Sequence, residues 1–113
     1  MAAIKKNLLI EQGSTFVAPF SLKNGYGLPY DFTGFTGRCQ IRKHVTDSLV
    51  IASPVVTIDN NPKLGKFVLT LTDIQTNLLP DCNAVYDIEM VSATGLVFRP
   101  FEGTVKIKAG VTR

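Results

Sequence analysis

The chain has 113 residues, of which 45% are hydrophobic and 19% are charged, and its formal net charge is +3. This length suits one domain with its own core, so we expect residues 1–113 to fold as a single domain. The lysines and arginines are scattered and not grouped with aromatic residues, which argues against nucleic-acid binding. No apolar run is long enough to span a bilayer, and residues 1–6 lack the apolar core of a signal peptide, so we expect synthesis in a cytoplasm and no membrane partner.

The first half of the chain predicts three strands joined by turns. Alternation of apolar and polar residues with a period of two is typical of a strand with one face in a core. It runs through residues 5–10, Thr15–Leu22 and Thr36–Lys43. Pro19 has no backbone N–H, which predicts an edge position or a bulge in the second of these strands. Asn24-Gly25 predicts a reversal of the chain before the third.

The second half predicts further strands at close spacing. The clearest is residues 84–91, where Tyr86, Ile88 and Met90 face one way while Asp87 and Glu89 face the other. Two short strands are predicted at Leu49–Ala52 and Val55–Ile58. A longer one begins at Gly65 and contains Phe67, Leu69 and Leu71. Leu96–Phe101 is the predicted hairpin partner of residues 84–91, and Thr104–Lys108 is the last strand. Gly103 allows a bulge between the last two.

One short helical turn is predicted near residues 73–79. Thr72 stands three residues before Gln75, which is the spacing of a capping box, and Pro80 ends the turn. We expect Leu78 and Leu79 to lie under the sheet. With seven or eight short strands and a turn signal roughly every 8–12 residues, the fold class is all-β, a sandwich or barrel.

Residues suited to catalysis are scarce. His44 is the single histidine and follows Arg42 and Lys43 at a strand end, where a solvated side chain is the expected interpretation. Asp87 and Glu89 share a strand face about 7 Å apart, a separation compatible with glycoside hydrolysis. Outward carboxylates are nevertheless ordinary on a solvated strand. We predict no enzyme activity and keep a small hydrolase as a third hypothesis.

Neither metal nor cofactor binding is predicted. Cys39 and Cys82 are the only cysteines, and we expect both to be free and mostly buried. The loop at residues 59–61 offers oxygen ligands but lacks the spacing of a calcium-binding loop. The chain has no glycine-rich phosphate-binding motif, so we expect no cofactor, metal or small-molecule substrate.

Two segments are candidates for contact with a partner protein. Tyr26 and Tyr30 flank a glycine- and proline-containing loop, where they either contact a partner or pack over the end of the core. The segment Leu96–Phe101 is apolar on both faces, with Leu96 and Phe98 on one side and Val97, Arg99 and Phe101 on the other. Such a strand is either buried within the sandwich or covered by a partner. The candidate interface residues are Tyr26, Tyr30, Phe98, Arg99 and Phe101.

Turn-and-strand motifs that extend over almost the whole chain also carry a family resemblance. They are Ile10–Phe16 (IEQGSTF), Leu28–Arg42 (LPYDFTGFTGRCQIR), Gly65–Thr72 (GKFVLTLT), Leu79-Pro80, Val85–Glu89 (VYDIE) and Glu102–Val105 (EGTV). Together they resemble a small β-sandwich domain of tailed-phage virion proteins, similar to the N-terminal domain of phage upper baseplate proteins. The resemblance implies an immunoglobulin-like antiparallel β-sandwich.

The resemblance also implies a function. In that family the domain begins a longer chain that carries a fibre or receptor-binding part. Here the chain stops at Arg113, which favours a stand-alone accessory protein that binds symmetrically to a phage shell or tail. The expected role is a non-enzymatic structural component of the tail, baseplate or neck, or a capsid accessory protein. Its partners would be other virion proteins and copies of itself, and its location would be the virion, after synthesis in the host cytoplasm.

The alternative function is adhesion. A host-surface glycan-binding module would use the Tyr26–Tyr30 loop, because exposed tyrosines in loops are adaptable contact residues.

Overall fold

Two β-sheets form the architecture of residues 3–111, the part of the chain that the computed structural model describes. Eight strands alternate with short connections, and one short α-helix and one turn of 3₁₀ helix (Pro62–Leu64) complete the secondary structure of these residues. The elements are β1 (Ile4–Lys5), β2 (Leu8–Glu11), β3 (Phe16–Ser21), β4 (Thr36–Arg42), β5 (Val55–Ile58), β6 (Lys66–Leu71), α1 (Asp73–Asn77), β7 (Asn83–Val91) and β8 (Val97–Lys108). The predicted all-β class is confirmed.

The strands divide between a larger and a smaller sheet. The larger sheet has five strands in the order β1–β8–β7–β4, with β2 also paired to β8, and the smaller sheet has the order β3–β6–β5. Neighbours are antiparallel except that β1 and β2 run parallel to β8. The prediction of a wholly antiparallel sandwich is therefore wrong at the N-terminal strands. Periodicity along one strand carries no information on the direction of its partner, which explains the error.

The inner faces of the two sheets share one core. The rings of Phe20 and Phe67 stack at 5.1 Å within the smaller sheet, and Phe101 of the larger sheet meets them edge-on at 4.9 and 5.9 Å. Such aromatic pairs add to the roughly 1.5–3 kcal/mol that burial of each ring contributes. Apolar side chains at alternate positions of the predicted strands are buried here: Ala18, Phe20, Leu22, Cys39, Ile41, Phe67, Leu69, Leu71, Tyr86, Ile88 and Met90.

A β-bulge divides the long strand β8. Ile88 pairs with Phe101 and Met90 pairs with Phe98, so that two residues of β8, Arg99 and Pro100, lie opposite one residue of β7. The extra residue reverses the alternation, which places Phe98 and Phe101 on the same inner face. The prediction that these two rings lie on opposite faces is wrong for this reason. Pro100 suits the bulge because it has no N–H to donate to the ladder.

The connection from β6 to β7 contains α1, as predicted. The Thr72 hydroxyl accepts the Gln75 N–H, and the Gln75 side chain accepts the Thr72 N–H, which completes the capping box. Leu79 is buried but Leu78 is 80% exposed, so the prediction for Leu78 is wrong. In a single helical turn, successive side chains point in different directions, and only one of the two can face the core. No helix among residues 3–111 is long and apolar enough to cross a membrane.

Two predictions about edges and prolines have different outcomes. β3, which contains Pro19, is an outer strand of the smaller sheet, and this confirms the predicted edge position. The predicted strand Leu49–Ala52 is wrong, because only Ala52 forms a bridge, with Ile41. Its carbonyl accepts the Ile41 N–H at 2.8 Å, and Pro54 has no N–H with which a ladder could continue.

The N-terminal strands connect the two sheets at one side of the molecule. Lys6, between β1 and β2, donates from Nζ to the Pro19 carbonyl at 2.6 Å and lies 4.3 Å from the centroid of the Phe20 ring. The Tyr86 hydroxyl donates to the Lys6 carbonyl at 2.6 Å. Through these contacts, the segment between β1 and β2 is held against both sheets.

Gly103 allows this close approach. A Cβ at Gly103 would lie 2.3 Å from the Lys6 carbonyl oxygen, well inside van der Waals contact. The Asn7 side chain accepts the neighbouring Thr104 N–H at 3.2 Å, where β1 and β2 are interrupted. No bulge forms at Gly103, although a glycine would allow one, since β8 stays in register with β7 at this point. The glycine provides room for the N-terminal strands.

Gly103→Ala is expected to destabilise the protein. The added methyl group displaces Lys6 and weakens the parallel pairing of β1 and β2, at a cost of roughly 1–3 kcal/mol in the free energy of unfolding. Urea denaturation measures the change. Gly25→Ala is the matched control, because no atom lies within 4 Å of a Cβ at Gly25, and it should change stability by less than about 0.5 kcal/mol. Equal stability of the two variants would contradict the role of Gly103.

Candidate functional site

Two of the five predicted interface residues belong to an aromatic cluster at one end of the sandwich. Tyr30 and Phe98 lie 5.4 Å apart between ring centroids, and Phe32 and Phe35 contact Tyr30 at 5.0 and 6.1 Å. Phe32 is buried, while the other three rings are half-buried. Tyr30 therefore packs over the end of the core, which was one of the two interpretations of this residue.

Tyr26 stands apart from that cluster at a loop tip. Its side chain is 91% exposed. The Asn24 carboxamide oxygen accepts the Tyr26 and Leu28 N–H groups at 2.9 and 3.2 Å, which holds the loop in a tight turn. Because Tyr26 is exposed on this turn and Tyr30 packs among the phenylalanines, the two tyrosines differ in environment. Of the two, Tyr26 is the one whose ring is free to contact a ligand from solution.

Phe101 is the predicted interface residue that the structure removes from the surface. It is 4% exposed, because the bulge at Arg99 and Pro100 turns it into the core against Phe20 and Phe67. A ring in this position cannot contact a partner without disruption of the core. Phe101 is therefore a core residue and not an interface residue.

Arg99 lies on the opposite, outer face of the larger sheet, in a network of ion pairs. Its Nε is 2.8 Å from Asp87 Oδ2, and its Nη2 is 3.9 Å from Glu89 Oε2. Arg38 Nε approaches Glu89 Oε1 at 3.2 Å. Exposed pairs of this kind contribute about 0–1 kcal/mol each. The network makes the outer face of the larger sheet charged but locally neutral.

This network lies beside a shallow depression of about 630 Å³ on the larger sheet. Its walls carry both signs of charge, from Lys5, Arg42 and Arg99 and from Asp87, Glu89 and Glu102. Since the carboxylates of Asp87 and Glu89 contact guanidinium groups, their geometry is that of a structural ion-pair network. The lining of the depression therefore has no excess of positive or negative charge.

The other residues considered for catalysis or metal binding are dispersed. His44 is exposed in the loop after β4, where its carbonyl accepts the Asp47 N–H at 3.1 Å. Within residues 3–111, no three side chains of His, Cys, Asp or Glu are grouped as a metal site would require. The structure does not bring His44 together with Asp87 and Glu89.

The two cysteines are free thiols, as predicted, and differ in burial. Cys39 is buried and Cys82 is half-buried. Burial, with a smaller effect from the Asp87 carboxylate, raises the pKa of the Cys39 thiol to about 12. Because the thiolate is the reactive form, burial and the raised pKa lower the reactivity of Cys39 near neutral pH.

The outer face of the smaller sheet has a different character and was not predicted as a site. Register places Val17, Thr70 and Val55 in one row across the three strands and Pro19, Val68 and Thr57 in the next. None of the six is charged, and Val17 and Val55 are 58% and 56% exposed. We call these six residues the uncharged face. It is a contiguous surface of β-branched side chains and proline, on the opposite side of the sandwich from the charged outer face of the larger sheet.

Sequence reasoning missed the uncharged face although a signal was present. A strand with one solvated face normally carries polar or charged residues at every second position. In β3, β5 and β6, those positions hold Val, Pro and Thr in the central rows. Only the register of the three strands shows that these residues are neighbours.

No protein-family model matches this chain, and no curated protein matches it significantly. The resemblance to phage virion domains therefore remains a prediction from the sequence motifs.

Substitution of Phe101 and Tyr26 separates core residues from surface residues. Phe101→Ala should cost roughly 3–5 kcal/mol in the free energy of unfolding, because it removes a ring that contacts both sheets. Tyr26→Ala should change stability by less than about 0.5 kcal/mol, because its side chain is solvated. Chemical denaturation of both variants checks this. A small loss for Phe101→Ala would place that ring outside the core.

Alkylation should distinguish the two cysteines. With native protein at mildly alkaline pH, iodoacetamide should label Cys82 well before Cys39, since the raised pKa and burial of Cys39 suppress its thiolate. Mass spectrometry of the labelled peptides over time gives the two rates. Labelling in denaturant is the control, where both cysteines should react alike. Similar rates in the native protein would show that Cys39 is accessible.

Proposed function

We propose that this protein is a non-enzymatic structural component of a tailed bacteriophage particle and acts through contacts between subunits. The observation that carries the proposal is the uncharged face. Valine and proline side chains that lie together at the surface are candidates for contact with another subunit. The sequence motifs that resemble virion domains supply the phage context.

The proposed architecture is immunoglobulin-like. In that fold, one sheet has the order C–F–G and the other contains B–E–D. The order β4–β7–β8 corresponds to the C–F–G sheet, and the order β3–β6–β5 corresponds to B–E–D. In this assignment β1 and β2 together take the place of strand A. Parallel pairing of β2 with β8 then corresponds to a first strand that has moved to the edge of the opposite sheet. The strand order supports this assignment.

Two of the sheet edges, at β3 and β4, are partly protected, which favours contact by faces over strand addition at these edges. At β3, Pro19 lacks an N–H, and its carbonyl accepts a hydrogen bond from Lys6. At β4, the Ile41 N–H is bonded to Ala52. These contacts reduce the backbone groups that another chain could pair with. The partners we propose are other virion proteins and copies of this chain, which would be located in the virion.

Mass spectrometry of purified virions tests the proposal. Particles of the encoding phage, banded twice on density gradients, should contain the protein at a constant ratio to the major structural proteins. A non-structural protein of the same phage, measured in the same fractions, is the control for contamination. Absence of this chain from the banded particles, or a ratio that falls with each purification step as the control does, would overturn the proposal.

A further inference from the structure

We propose that this domain resists tension applied through its two ends, because its first strands and its last strand form a mechanical clamp. The inference goes beyond the proposed function and does not depend on it, since it concerns how the fold carries a load. Its basis is the parallel pairing of β1 and β2 with β8. We call residues 4–11 together with residues 101–108 the terminal clamp.

Strand direction decides how an end-to-end load acts on the terminal clamp. Register pairs Ile4 with Phe101 and Glu11 with Lys108, so the paired segments overlap over about 23 Å. Because the pairing is parallel, the N-terminal side of the clamp and its C-terminal side lie at opposite ends of this overlap. Tension on the two chain ends therefore slides β1 and β2 along β8 and loads the cross-strand hydrogen bonds together. In an antiparallel pair of terminal strands, the same tension would open these bonds one at a time.

Hydrogen bonds continue across the interruption between β1 and β2. The Lys6 N–H donates to the Glu102 carbonyl at 2.9 Å. The Asn7 side chain accepts the Thr104 N–H at 3.2 Å. Beyond β2, the Gln12 N–H donates to the carbonyl of the last residue of β8 at 2.9 Å. The terminal clamp is thus bonded along its whole overlap, so that no single hydrogen bond carries the load alone.

Side chains of the same segment add resistance to sliding. Leu8 and Ile10 are 9% and 0% exposed, and both would have to leave the core as β2 moves. Lys6 Nζ donates to the Pro19 carbonyl, and the Tyr86 hydroxyl donates to the Lys6 carbonyl, each at 2.6 Å. These two contacts join the segment to β3 and β7, so that sliding along β8 has to break them as well.

The position of β8 directs the load to the terminal clamp. β8 is an inner strand of the larger sheet and also pairs with β7 on its other side. Withdrawal of β8 would have to break both ladders, whereas within residues 3–111 the strands β1 and β2 pair only with β8. Rupture of the terminal clamp is therefore the step that limits unfolding under load. Forced unfolding is governed by the rate of such a step and not by equilibrium stability.

Single-molecule force spectroscopy on the full chain tests the inference along two axes. In the first arm, handles at the N-terminus and the C-terminus load the terminal clamp in shear. In the second arm, the N-terminal handle is moved to an azide-bearing amino acid in place of Ser14, an exposed residue just after β2. This geometry pulls the adjacent ends of β2 and β8 apart and opens the ladder bond by bond. We expect a severalfold higher unfolding force in the first arm, because the bonds break together there.

The extension traces show whether the terminal clamp is the element that yields. In the first arm, unfolding should occur in one step that lengthens the molecule by about 350 Å. Equal forces along the two axes would overturn the inference. Early detachment of β1 and β2 at low force, seen as a short extension before the main step, would overturn it too.

Matched substitutions separate resistance to load from equilibrium stability. Ile10 in β2 and Ile41 in β4 are both 0% exposed, and valine in place of either removes one buried methyl group. Under a fixed force through the ends, Ile10→Val should accelerate unfolding about two- to tenfold, because packing in the terminal clamp is lost. Ile41→Val should leave that rate unchanged, since β7 separates β4 from β8.

Urea denaturation is the control for these two variants and should show similar losses of stability. Equal acceleration by both under load, or acceleration by neither, would contradict a role for the terminal clamp. The outcomes are also distinct from those of the virion test. A protein absent from virions that shows the directional difference keeps the clamp and loses the proposed role, and a virion protein with equal forces has the opposite meaning.

Discussion

The bulge at Arg99 and Pro100 is the constraint on which most of this structure depends. It adds one residue to β8 opposite Glu89, and so turns Phe98 and Phe101 to the same side of the larger sheet. Phe101 can then pack against Phe20 and Phe67, which joins the two sheets, and Phe98 can complete the aromatic cluster with Tyr30. Without the bulge, simple alternation would leave one of the two rings in water. A residue in a bulge normally has a backbone N–H without a partner in the ladder. Pro100 has no N–H, so its position in the bulge leaves no such group unpaired.

The same bulge shapes the outer surface. It leaves Arg99 pointing away from the core, where it bridges Asp87 and Glu89. The larger sheet therefore presents charges that are already paired with one another. The smaller sheet, which has no such pairs in its central rows, presents valine, threonine and proline. The sandwich is thus asymmetric in the chemistry of its two outer faces.

The segment around Lys6 has a second structural role, because it joins the two sheets. The Lys6 amino group donates a hydrogen bond to β3, and the Lys6 carbonyl accepts one from the Tyr86 hydroxyl. Gly103 leaves room for this close approach. This bridge also protects the edge of β3. Together with the contact of Ala52 at β4, it reduces the backbone groups with which a strand of another chain could pair.

The sequence by itself determined the all-β class, the inward residues of most strands, the capped helical turn and the free thiols, because each depends on periodicity or on neighbours within a few residues. It did not determine the parallel pairing of β1 and β2 with β8, since direction is decided between segments far apart in the chain. It also misplaced Phe101, because one extra residue in a strand reverses all later positions, and a bulge is defined only against its partner strand. The uncharged face was missed for the same reason: Val17, Val55 and Thr70 become one row only when three distant strands take their register. Tertiary structure therefore decided which residues are surface and which surface is free of charge.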